Sequence, residues 1–313
     1  MNAVQPRSPV AGYRVVRELS AGPGSRVCLC IDERNAGRRV ALKLLPVRLG
    51  ESMAAHALRA HRLLMNLEQT NLVRVYECGL LSEDEPNQSQ NQIGAAQSTG
   101  AYASMEYLDG DELEELIFDG MSSALALDTL IALARGLAAA HEVDLVHGTL
   151  SPQHVLFRRD GEPVLIGFGS VDALRGAGSS AAQRRYCSPE LRNGGVADRM
   201  SDICALGICF YDMLTGAEAD EGEGPWPPAL PEALSGFARL VEAMTAEDPH
   251  DRLQSADRVA EWALGLRNAT SSSPAAAGES TDPVLLEGGG ASTFGDDAPQ
   301  AASVVTAGRP APG

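Results

Sequence analysis

A chain of 313 residues with 44% apolar side chains is long enough for two packed lobes and a tail, and apolar enough to build a real core. Its 42 acidic against 25 basic side chains leave a net charge of −17, a surface that repels phosphate backbones, so neither nucleic acid nor an anionic membrane is an expected partner. The six cysteines lack metal-ligand spacing, the N-terminus lacks the apolar stretch of a leader, and no run of about 18 apolar residues stands out, which together give the expectation of free thiols in a cytoplasmic protein.

In chain order, residues 1–12 read as an extension. "YRVVREL" (13–19), "RVCLCI" (26–31) and "RRVALKLLP" (38–46) read as strands, with "SAGPGS" between the first two. From Ser52 to Leu67 apolar residues recur at helical spacing, through Leu58, Leu63, Leu64 and Leu67. "NLVRVYECGLL" (71–81) is another strand, and the polar stretch at about 82–100 is an expected loop insertion. "AYASMEYL" resumes strand character. After Gly110 helices take over: "LDTLIALARGLAAAHEV" (127–143) is strongly helical, and helices dominate again from Asp198 to Leu266. From Ala269 onward Ser, Ala, Gly and Pro prevail, and this tail is expected to be disordered. One count stands apart: Lys43 is the only lysine, every other long basic side chain being arginine.

Several short motifs occur in a fixed order. "VALK" ends on Lys43, "MEYLDG" contains Met105, "HGTLSPQH" starts at His147, "LIGFGS" contains Gly167 and Phe168, "CSPE" ends on Glu190, "SDICALG" contains Asp202, and "DPHDR" ends on Arg252. Taken together, residues about 13 to 266 resemble a protein kinase domain of the bacterial Ser/Thr type. The resemblance implies an α+β bilobal fold: a small antiparallel-sheet lobe with one helix (13–110), a larger helical lobe (111–268) and the tail (269–313). It implies structural roles for Glu190 paired with Arg252, for Asp202 beneath the catalytic loop, and for an apolar stack of His147, Phe168 and Leu64. It also places Val27, Ala41, Met105 and Leu156 around a purine, with Lys43 and Gly22 toward its phosphates.

The same alignment of motifs shows which chemistry has changed. The catalytic-loop pattern of the family is H-R-D-L-x-x-x-N, in which Asp acts as base and Asn holds a metal. Here Gly148 replaces the Arg, Thr149 the Asp and His154 the Asn, while Ser151 replaces a phosphate-contacting lysine. Gly167 replaces the metal-binding Asp of D-F-G, and the helix Glu that pairs with the strand lysine falls at Ala60, with His61 expected to face elsewhere. In the glycine-rich loop only Gly22 survives, beside Ser20, Pro23 and Ser25. Phosphoryl transfer depends on positioning and charge neutralisation, and one lost electrostatic group costs on the order of 10²–10³ in rate.

The resulting expectation is a pseudokinase: no catalytic residue, no metal site, a protein partner in signalling, and at most weak ATP binding without Mg²⁺. Two other readings stay open. One is a divergent Ser/Thr kinase or related ATP-dependent transferase, for which Asp172 is the nearest replacement carboxylate. The other is a nucleotide sensor without turnover. Ser179 and Ser180 fall in the activation segment, whose expected state is a flexible loop.

Overall fold

The computed structural model describes residues 10–22, 25–45, 51–81, 100–170, 184–216 and 227–271. Pro23, the insertion at 82–99, Asp172, Ser179, Ser180 and the tail from residue 272 lie outside the described residues.

The smaller lobe is one antiparallel sheet of β1 (Tyr13–Ala21), β2 (Arg26–Asp32), β3 (Arg38–Leu45), β4 (Val75–Leu80) and β5 (Ala101–Glu106), in the order β1-β2-β3-β5-β4. In β1, Tyr13 and Val15 are buried while Arg14 and Val16 are not, the period-two pattern of a half-buried strand. Tyr13 and Val15 pack with Cys28, Cys30, Val40 and Leu42 on one side of the sheet. Helix α1 (Glu51–Met65) closes the other side, with Ala54, Ala57 and Leu58 against Leu45 and Ala101. The segment expected as one strand from Asn71 begins as a strand only at Val75. Before that, Leu72 bridges to Leu165, with Leu165 N–H on the Asn71 carbonyl (2.8 Å) and Val73 N–H on the Leu165 carbonyl (3.0 Å), so these residues tie the two lobes together.

The larger lobe contains α2 (Leu113–Asp119), α3 (Ser123–Glu142), the two-stranded ladder β6 (Val155–Phe157) and β7 (Pro163–Leu165), and then α4 (Pro189–Arg192), α5 (Arg199–Thr215), α6 (Ser235–Thr245) and α7 (Ala256–Ser271). Helix α3 starts four residues before the expected Leu127, because the Ser122 hydroxyl accepts from Leu125 N–H (3.2 Å) and caps it. By length and composition this helix could cross a membrane, although Asp128 and Arg135 interrupt its apolar run, and much of it is buried in the core of this lobe. Helix α5 opens on a capping box between Asp198 and Ser201 and closes on Gly216, whose φ of 83° suits glycine. Helix α7 runs to Ser271, past the expected boundary at 268. The fold is bilobal α+β, as the resemblance implies.

Candidate functional site

A cavity of about 360 Å³ opens between the lobes. From the smaller lobe it is lined by Leu19, Val27, Ala41, Lys43 and Met105, and from the larger lobe by His154, Leu156, Ile166 and Gly167. The strand register accounts for the first group: Lys43 lies opposite Val27 on β2 and Ala103 on β5, while Ala41 lies opposite Met105. Gly22 is not part of the lining; it is exposed, and its N–H turns back onto the Ser25 carbonyl (2.9 Å), whereas Ser20 and Ser25 do line the cavity. Glu112, Gln153 and Ser170 also line it and were not singled out by motif; Glu112 carries only a composition signal, in the acidic run after Gly110.

Lys43 is buried, with 7% of its surface exposed. Ala60, on α1, packs against Gly169, where an added Cβ would lie 2.9 Å from the Ala60 Cβ. His61 does not face away, as the sequence suggests. It is buried, its Nδ1–H donates to the Ala57 carbonyl (2.6 Å), and burial together with the Lys43 charge pushes its pKa down to about 4. The helix turn that removes Ala60's neighbour from the lysine in projection still leaves the imidazole within reach of its charge.

The catalytic-loop segment is held by Asp202 of α5. One carboxylate oxygen accepts from His147 N–H (2.8 Å) and His141 Nε2–H (2.9 Å), and the other accepts from Gly148 N–H (2.8 Å). His147 donates from Nε2 to the Ile166 carbonyl (2.7 Å) and receives Thr149 N–H at Nδ1 (3.4 Å), so it is neutral; burial is the main reason its pKa is lowered. Its ring lies 4.6 Å from that of Phe168, which packs in the same core as Leu64 and Ala60. The Thr149 hydroxyl is buried without a hydrogen-bond partner.

His154 and Gly167 meet at the floor of the cavity. The His154 Nδ1–H points at the Thr149 carbonyl (2.7 Å) with the Ser151 hydroxyl also near (3.2 Å), and its ring stands 5.2 Å from that of His147. Burial, with the Lys43 charge adding to it, pushes its pKa down to about 3, so the ring is neutral. Gly167 has φ 91°, and a Cβ built on it would lie 2.4 Å from His154 Cδ2 and 3.0 Å from Nε2. The imidazole therefore stands where a side chain at 167 would emerge. Magnesium chemistry does not fit this corner: glycine has no ligand, threonine no carboxylate, and imidazole is a poor partner for a hard cation. Among the described residues no three His, Cys, Asp or Glu side chains cluster as metal ligands.

Farther out, Arg252 spreads its guanidinium over both Glu190 oxygens (2.7 Å each) and the carbonyls of Met200, Ala246 and Glu247. Burial works against the Glu190 charge, but Arg252 outweighs it and holds the carboxyl below its ordinary value. Sequence reading missed a second pair: Arg185 Nε donates to the fully buried Asp212 (3.1 Å), which also accepts from the Tyr186 hydroxyl (2.9 Å). No motif joins these residues, which approach only when α5 packs under the segment before Glu190.

A family profile described as the protein kinase domain matches residues 13–261. The chain is 26% identical over 271 residues to the serine/threonine-protein kinase PrkC of Bacillus subtilis, covering 78% of this chain and 39% of that protein. It is 28% identical over 267 residues to the serine/threonine-protein kinase PknL of Mycobacterium bovis, covering 78% of this chain and 63% of that one. It thus spans less than two thirds of the length of these relatives. The crystal structure of the Mycobacterium tuberculosis PknI kinase domain, a double mutant, superposes with a TM-score of 0.65 at 23% identity, over 84% of this chain and 99% of that one. By its profile match, the order of its motifs and its bilobal fold, this chain belongs to the protein kinase domain family.

Proposed function

We propose that this chain is a kinase-fold domain that binds rather than transfers, a pseudokinase that regulates or scaffolds a protein partner in signalling. The observation that supports this reading is the interlock of His154 with Gly167. It fills the corner where the family holds a metal-binding carboxylate, and it does so beside Thr149 rather than a general base. The scaffold around it, Asp202 under the loop and Arg252 on Glu190, is intact. Its partner is read as protein, with nucleic acid and membrane disfavoured by the −17 charge, and its compartment as cytoplasmic.

A second reading is a divergent Ser/Thr kinase, and the comparisons weigh toward it, since the two relatives named above are both described as serine/threonine-protein kinases. That reading needs a replacement carboxylate: Asp172, the nearest in sequence after Phe168, lies outside the described residues, and Glu112 lines the cleft. A sensor that binds nucleotide without turnover is the third. The deciding experiment is phosphate incorporation from labelled ATP, into the chain itself and into a generic protein substrate, with Mg²⁺ or Mn²⁺. Incorporation at the level of a blank is expected. Incorporation that disappears in Lys43→Ala establishes the kinase reading instead.

A further inference from the structure

Charge and space in the cleft point to a different ligand from that of a phosphoryl-transfer site. Lys43 is the only lysine or arginine among the described lining residues, and Glu106 and Glu112 are the only acids. Glu106 is engaged: Arg158 donates to both of its oxygens (2.7 and 3.3 Å), and Arg74 N–H donates to one of them (2.8 Å). Among the described residues the lining thus offers the anionic end of a ligand one basic side chain, Lys43. A phosphate monoester carries about −1.5 to −2 charge at neutral pH, and each phosphate inserted before it adds about one more. In a partly buried cleft, charge that has no counter-charge is repelled or forces the group back toward water.

In a phosphoryl-transfer site divalent metal supplies the missing positive charge. Here the floor cannot hold it in the usual way. No carboxylate can project from position 167 while His154 stands, because even a Cβ would lie 2.4 Å from the ring. The ring's own Nδ1–H is turned away onto the Thr149 carbonyl and Ser151. Apolar side chains face each other across part of the cleft, Val27, Ala41 and Met105 from the smaller lobe and Leu156 and Ile166 from the larger, a pair of faces suited to a flat heteroaromatic ring, while Ser20, Ser25, Glu112 and Gln153 make other parts of the lining polar.

We infer that the cleft selects a purine nucleoside carrying at most one phosphate, bound without a divalent cation, over a metal–nucleoside triphosphate. This rests on the non-catalytic reading of the same cleft. Val27, Ala41 and Leu156 hold the ring, and Lys43 meets the one phosphate. The imidazole of His154 takes the space that a metal-holding side chain at position 167 would need.

The test is calorimetric titration of the full chain with adenosine, AMP, ADP and ATP, each with EDTA and again with excess Mg²⁺. AMP is expected to bind most tightly, ATP about tenfold or more weakly, and Mg²⁺ to leave AMP binding unchanged. Lys43→Ala should bring AMP down to the affinity of adenosine and leave adenosine where it was. ATP binding tighter than AMP, affinity strengthened by Mg²⁺, or no binding of any of the four overturns the inference. If Lys43→Ala does not fold, the ranking in the unaltered chain decides. Mg²⁺-strengthened ATP binding without phosphate transfer would sink this selectivity yet leave the non-catalytic reading standing; Lys43-dependent transfer would sink that reading.

Discussion

An aspartate introduced at Gly167 would meet the His154 ring before it met anything else. Position 167 also has a φ of 91°, which disfavours any side chain. Restoring the family's carboxylate by Gly167→Asp alone is therefore expected to cost about 1–3 kcal/mol from overpacking. Combined with His154→Ala, which empties the space, the two changes should be non-additive by at least about 1 kcal/mol in the favourable direction. Chemical denaturation of the two single variants and the double one checks this; additive costs would mean that the residues do not share the space. Thr149 behaves differently. Its hydroxyl is buried and unpaired, so Thr149→Val should be close to neutral in stability.

Elements are held in place by two buried charges whose partners come from distant parts of the chain. Arg252 follows α6 and grips Glu190 in α4, while Asp202 in α5 carries the backbone of the catalytic-loop segment. Arg252→Ala leaves Glu190 facing a vacated site and takes a donor from three carbonyls, and should cost about 3–5 kcal/mol, as should Asp202→Ala. Thermal melting that placed Thr149→Val below either of them would contradict this division between scaffold and cleft. The elements themselves were legible where periodicity runs long, as in β2, β3, α1 and the middle of α3. Periodicity was blind to β6 and β7, three residues each, and to Asn71–Val73, whose apolar character serves a bridge between lobes rather than a strand. Position in a motif revealed that Gly167 and His154 depart from the family. It could not reveal that one residue occupies the other's space, nor that Arg185 reaches Asp212, because such contacts depend on where the folded chain brings loops together.

The molecule as a whole should lose stability in mild acid earlier than its carboxylates dictate. His61 is neutral when folded, with a pKa of about 4, but titrates near 6.5 when unfolded. The unfolded chain therefore binds more protons below pH 6.5. The stability contributed by the buried neutral ring is present above 6.5 and falls away as pH drops toward 4. Glu190, whose carboxyl is held low, loses its contribution only further down, in the carboxylate range. Between pH 6.5 and 5, His61→Gln should lose about 1–2 kcal/mol less than the unaltered chain. Equal losses, followed by denaturant melts at both pH values, would show that His61 is not the sensitive group. The burial of Lys43 has a practical consequence at this same scale. Every exposed cation among the described side chains is arginine or histidine, so amine-directed esters and aldehydes find no surface lysine at all. Coupling through such reagents should proceed at the terminal amine alone, tethering every molecule on a sensor surface through a single point with the inter-lobe cleft unmodified.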